Sequence, residues 1–60
     1  MLKALIVGTT FQLWYRGEVV CQIGNLNSTQ LRSLALAHSQ GCFDCCSIEN
    51  LRVMLEIYSS

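Results

Sequence analysis

The residues best suited to chemistry are the cysteines, since three of the four lie in the stretch "GCFDCCSIEN", residues 41–50. Thiolates and imidazoles are the ligands that structural zinc sites use, and such sites need four of them. If the chain binds a metal, the candidate ligands are Cys21, His38, Cys42, Cys45 and Cys46. Metal binding is therefore one chemistry that this segment could support.

The spacing within this set is only half of a zinc signature. His38, Cys42 and Cys45 follow the pattern H-x3-C-x2-C, whereas strong signatures present two pairs of ligands. Cys42 and Cys45 also match C-x-x-C, but redox use of that motif needs a helix N-terminus or a nearby cation. Here the motif follows a predicted helix end, where the dipole disfavours an anion. If the last segment were a helix instead of a strand, Cys45 and Cys46 would lie near its start and this argument would weaken. We therefore predict structural thiols, with no metal and no cofactor.

Catalysis is also disfavoured. His38 could activate a neighbouring thiol, yet a histidine near a helix C-terminus more simply interacts with exposed carbonyls and the dipole. A chain of 60 residues leaves little room for a pocket with converging polar groups. We predict that the protein is not an enzyme.

Composition points to association instead. Apolar residues make up 52% of the chain and charged residues 13%, against about 45–50% and about 25% in ordinary domains. A single domain spanning residues 1–60 buries only about 60% of the surface that its unfolded chain exposes. We therefore expect the remaining apolar surface to be covered by another copy, as in a homodimer, or by a protein partner.

The sequence argues against nucleic acid and membrane as partners. The net charge is zero and the cations are scattered, whereas nucleic-acid binding needs several cations on one face. The apolar run at residues 1–7 is too short to span a bilayer and lacks the features of a secretory signal. We expect a cytoplasmic, intracellular protein that binds neither nucleic acid nor membrane.

The first half of the chain predicts a hairpin. Apolar residues alternate between residues 5 and 15, which is the period of a strand, with a bulge or bend at Gly8. Residues 16–17, Arg-Gly, form the turn, and residues 18–23, "EVVCQI", return as the second strand.

Two registers are possible for this hairpin. A three-residue loop would place all its large apolar residues on one face, whereas a two-residue loop pairs Leu13 with Val20 and makes both faces apolar. We adopt the two-residue loop, so that one face packs on a helix and the other needs a partner. The predicted interface consists of Phe11, Leu13, Trp14, Tyr15 and Val20.

The second half begins with a helix. In "LNSTQL", Asn27 can cap the helix while Gln30 occupies its third position. The helix continues to residue 40, and Gly41 stands where a left-handed residue is expected.

The last segment, "SIENLRVMLEIYSS", fits either a helix or a strand. As a strand it places both its interior charges, Arg52 and Glu56, opposite an all-aliphatic face. A turn at residues 49–50 would then complete a second hairpin. We therefore predict an α+β fold of order ββαββ, in which two hairpins form a mostly antiparallel sheet with one helix packed on it. The alternative order is ββαα.

The function that follows is that of a small non-enzymatic interaction or regulatory protein. It would self-associate, or bind a protein partner, through an apolar sheet face. The alternative is a metal-binding or thiol redox-sensing protein that uses the cysteines of residues 42–46.

Overall fold

A computed structural model describes residues 2–44 and 46–59. It contains one antiparallel sheet followed by two helices, which confirms the α+β class. The elements are β1 (Lys3–Val7), β2 (Thr10–Tyr15), β3 (Glu18–Ile23), α1 (Ser28–Ser39) and α2 (Ile48–Ser59). The order is thus βββαα. The alternative order ββαα correctly ended in two helices but counted one strand too few.

The expected bend at Gly8 is a complete hairpin turn. Val7 lies opposite Thr10, and Gly8 has φ +61°, a conformation that glycine adopts without steric cost. Glycine at the first central position is typical of one of the two favoured two-residue hairpin turns. A two-residue turn pairs odd-numbered residues with even-numbered ones, so the odd residues of β1 and β2 occupy opposite faces.

The turn between β2 and β3 has the predicted length of two residues. Arg16 and Gly17 both have positive φ, +53° and +81°, as a type I′ turn requires. Trp14 lies opposite Val19, as the two-residue loop predicts.

The predicted pairing of Leu13 with Val20 is wrong. Leu13 lies opposite Cys21, because the register shifts between Leu13 and Trp14 and leaves Val20 as an extra residue. Such a β-bulge turns the following residues of the bulged strand to the other face. Phe11 and Leu13 therefore share one face with Cys21 and with Ile23, which lies opposite Phe11.

Helix α1 begins as predicted and ends at Ser39, one residue before the predicted end. The Asn27 side chain accepts a hydrogen bond from the Gln30 backbone at 2.8 Å, and the Gln30 side chain accepts one from the Asn27 backbone at 2.9 Å. At the other end Gly41 has φ +77°. The backbone nitrogens of Gly41 and Cys42 donate to carbonyls of the last turn, which is a Schellman motif.

The predicted second hairpin, with its turn at residues 49–50, is wrong because these residues belong to α2. Leu51 and Leu55, one helical turn apart, are buried. Val53, which the strand prediction placed beside them, is 53% exposed. At the start of α2 the backbone nitrogen of Leu51 donates to the Ser47 carbonyl at 3.0 Å.

Both helices pack on the same face of the sheet. That face and the helices share one cluster of buried side chains, to which the loop between the helices contributes Phe43. The Phe43 ring lies 6.5 Å from that of Phe11 and meets the Tyr58 ring edge-on at 5.8 Å. The members of this core are Phe11, Leu13, Cys21, Leu26, Leu34, Ala37, Phe43, Leu51 and Leu55.

Candidate interaction surface

The other face of the sheet, here called the outer face, carries no helix. Leu5 and Val7 of β1 lie on it and are 49% and 53% exposed. Val19 of β3, opposite Trp14, is 40% exposed on the same face. Lys3 also pairs with Trp14 and supplies the outer-face charge at one end of β1. An open apolar face with its charge at the rim resembles the composition of protein interfaces, whose centres are depleted of charge.

Polar side chains on the outer face bond to one another. The Trp14 indole Nε1 donates to Gln12 Oε1 at 3.0 Å, and Gln12 Nε2 donates to Gln22 Oε1 at the same distance. This chain crosses from β2 to β3 and satisfies the single donor of the indole. Trp14 can therefore present its ring to a partner without leaving a polar atom unpaired.

A groove of about 660 Å³ opens beside Trp14. Its walls include Lys3 and Leu5 of β1 and, from the turn between β2 and β3, Arg16. The Arg16 guanidinium stacks over the Tyr15 ring at 5.3 Å, a cation–π contact. An apolar floor between two cations thus borders the outer face.

The predicted interface residues separate into three groups. Phe11 and Leu13 are fully buried in the core, and Val20 packs against it, so these three do not form an exposed apolar face. Trp14 is half-buried on the outer face, and Tyr15, on the opposite face of β2, is exposed near the turn. The exposed residues that sequence reasoning missed are Leu5, Val7 and Val19. The Gly-Thr pair at residues 8–9, read as a two-residue hairpin turn, was the signal that could have found the first two.

The candidate metal ligands are distributed over different parts of the fold. Cys21 lies in β3 beside Arg52 of α2, while the His38 ring bonds through Nε2 to the Leu2 carbonyl at 3.0 Å. Since a carbonyl only accepts, His38 carries a proton on Nε2. Within residues 2–44 and 46–59, no three His, Cys, Asp or Glu side chains are grouped closely enough to hold a metal ion. Cys45 lies outside the described residues.

Cys42 and Cys46, in the loop between the two helices, each make a contact with a neighbouring polar group. The Cys46 thiol donates to the Cys42 carbonyl at 3.6 Å. A hydrogen bond between Cys42 and the Tyr58 hydroxyl, strengthened by the charge that Cys42 acquires on ionising, raises the pKa of Tyr58. The contact between Cys42 and Tyr58 joins the loop between the helices to the last turn of α2.

Cys21 is a poor nucleophile in this fold. Burial raises the pKa of its thiol, and this effect outweighs the opposite influence of the Arg52 guanidinium. Because the thiolate is the reactive form, the Cys21 sulfur behaves as a small apolar group in the core.

Neither helix in the described part of the chain is both long and apolar enough to cross a bilayer. Comparison with known proteins gives no match to a family model, a curated protein or a solved structure. The surfaces and contacts of this chain itself are therefore the basis for a functional proposal.

Proposed function

We propose that this chain is a small non-enzymatic interaction protein that self-associates through its sheet. The observation that carries the proposal is the uncovered outer face, where Leu5, Val7 and Val19 are exposed around Trp14. Burying the apolar area that a small domain leaves exposed lowers the free energy by roughly 25 cal/mol per Å². A second copy carries the same exposed apolar side chains, so two sheets can meet either face to face or edge to edge.

The helices also expose apolar side chains, but in a different setting. Val53 and Ile57 of α2 alternate with Arg52 and Glu56 along the exposed surface of the helix. Charges at such spacing are typical of a solvated helix face. The sheet is therefore the better candidate for the contact.

The matched pair Leu5→Arg and Leu36→Arg tests this choice. Leu36 lies on α1 and is 56% exposed, close to the exposure of Leu5, so both variants place the same charge on an open leucine. Sedimentation equilibrium over micromolar to near-millimolar concentrations measures the dimer dissociation constant of each. Leu5→Arg should raise it by about 100-fold, since each copy loses on the order of 1.5 kcal/mol of burial. Leu36→Arg should leave it unchanged.

Two results would contradict the proposal. One is a wild-type protein that sediments as a 6.7 kDa species at every concentration. The other is a Leu36→Arg variant that weakens association as much as Leu5→Arg does. Far-UV circular dichroism of both variants ensures that an effect on association is not an effect on folding.

A thiol-based sensor is the second candidate function. It is favoured by the contact of the Cys46 thiol with the Cys42 carbonyl and by the hydrogen bond between Cys42 and Tyr58. Elemental analysis and thiol titration test it directly. A stoichiometric metal whose removal unfolds the protein, or a fast-reacting Cys42, would support it, while metal-free folded protein with slow thiols would reject it.

A further inference from the structure

The two edges of the sheet differ in how they are protected. Edge strands present unpaired backbone groups to other chains, and proteins usually guard them with bulges, charges or a covering element. β3 has all three, namely the bulge at Val20, the charge of Glu18 and its packing against α2. β1 pairs regularly with β2 from Lys3 to Val7, with neither bulge nor proline. β1 carries one charge, Lys3 at its first position, and its contact with α1 is slight, so β1 is the less protected edge.

The backbone groups at this edge can be assigned from the turn. Val7 and Thr10 flank the two-residue turn, so they form a hydrogen-bonded pair. Because such pairs alternate with non-bonded ones along an antiparallel ladder, the N–H and C=O groups of Ala4 and Ile6 point away from β2. The Leu2 carbonyl is bonded to His38, so the open part of the edge begins at Ala4.

The side chains along β1 leave the same region uncovered. Ile6 lies opposite Phe11 and on its face of the sheet, yet Ile6 is 46% exposed while Phe11 is fully buried. The helices therefore leave the Ile6 end of β1 open, although α1 contacts the strand and Ala4 packs against the core. A strand added beside β1 would cover Ile6 and bond the free backbone groups in one step.

We infer that β1 pairs antiparallel with β1 of a second copy, about a two-fold axis that passes through Leu5. This inference rests on the proposed self-association and names its contact. In this register Ala4 lies opposite Ile6 of the second copy and Lys3 lies opposite Val7, so the small residue faces the large one and no like charges meet. Leu5 lies opposite itself.

The charge pattern favours a second copy as the occupant. β1 carries its one charge at Lys3, at one end, and antiparallel pairing places the two lysines at opposite ends of the contact. The product is a six-stranded sheet in which the outer faces of both copies are continuous. Leu5 and Val7 of each copy then lie at its centre.

Proline substitutions distinguish the two sides of β1. In Ala4→Pro the lost N–H is one that points to solvent, a position at which edge strands accept proline. The variant should remain folded and should raise the dimer dissociation constant by roughly 100-fold, the loss of two symmetric bonds and their neighbours. Leu5→Pro removes an N–H that bonds β2 and should unfold the protein.

Ile6→Lys and Val19→Arg form a second test that leaves the backbone intact. Ile6→Lys adds a charge to the open edge, a known means of blocking strand pairing, and should also raise the dissociation constant by roughly 100-fold. Val19→Arg places a charge on the outer face, two strands away from the β1 edge, so it should weaken the dimer only if the outer faces of two copies stack on each other. Sedimentation equilibrium measures both.

Disulfide trapping tests the register. Leu5 and its symmetry mate form a non-hydrogen-bonded pair, whose Cα atoms lie about 4.5 Å apart, a separation that a disulfide spans. Leu5→Cys should therefore give a covalent dimer under mild oxidation. Val7→Cys faces Lys3 of the second copy and should give no more dimer than the wild type, which serves as the baseline for the native cysteines.

The outcomes separate the inference from the proposed function. A monomeric wild type overturns both. A dimer that survives Ile6→Lys but is lost in Val19→Arg keeps the self-association and overturns the edge contact in favour of stacked outer faces. Equal trapping of Leu5→Cys and Val7→Cys overturns the register. Loss of the dimer in Ile6→Lys together with selective trapping of Leu5→Cys supports the inference.

Discussion

Leu13 lies opposite Cys21 in the sheet, although the next residue, Trp14, lies opposite Val19. The extra residue between them, Val20, turns Cys21 onto the face that carries Leu13. Without this bulge both faces of the hairpin would be apolar. With it, the large side chains of β2 and β3 enter one core, and the open apolar surface is formed by other residues, chiefly Leu5 and Val7 of β1.

The helical state of residues 48–59 predicts unequal costs for two neighbouring truncations. Leu55 is 1% exposed whereas Val53 is open to solvent, although a strand would have placed both in the core. Leu55→Ala should lower the free energy of unfolding by about 2–5 kcal/mol, and Val53→Ala should change it by less than about 0.5 kcal/mol. Urea denaturation measures both, and equal losses would contradict the helix.

Burial of Cys21 predicts a loss of stability in alkali. Since burial raises the pKa of this thiol in the folded state, its stabilising contribution is complete below the ordinary thiol pKa of about 8.5 and declines as the pH rises above it. The difference in unfolding free energy between wild type and Cys21→Ala should therefore shrink between about pH 8 and pH 10. A difference in unfolding free energy that stays constant or grows with pH would contradict a raised pKa for Cys21 in the folded state.

Gly17 supplies the positive φ of the second turn, and nothing lies within 4 Å of a Cβ added there. Gly17→Ala should thus cost about 1–2 kcal/mol through backbone strain alone. Gly17→Asn should cost less, because asparagine visits the left-handed region more readily. Thermal denaturation of the pair checks the order, and an alanine variant as stable as wild type would argue against the turn.

Asn27 and Gln30 bond reciprocally at the start of α1. Asn27→Ala should lower the unfolding free energy by about 1 kcal/mol. The Gln30 amide also donates to the Ser59 carbonyl at the end of α2, so Gln30→Ala should cost more than the loss of the cap. A double-mutant cycle measures the coupling between the two residues, and additive effects would show that the capping box contributes little.

Local signals were sufficient for the parts of the fold that neighbouring residues control. The capping box at Asn27, the left-handed residue at Gly41 and the turn at Arg16–Gly17 each depend on a few consecutive residues. The candidate site was less predictable: of its proposed residues, Trp14 and Tyr15 remain accessible, while Phe11 and Leu13 are core residues.

The sequence by itself determined the α+β class, the excess of apolar side chains and the termini of α1, because composition and short-range backbone bonding decide them. Only the tertiary structure decided the state of residues 48–59, which fit both periods, were predicted to be a strand, and form a helix that buries Leu51 and Leu55 against the sheet. It also decided which face of the sheet stays open. That choice depends on one bulged residue, Val20, and a bulge has no local sequence requirement strong enough to reveal it.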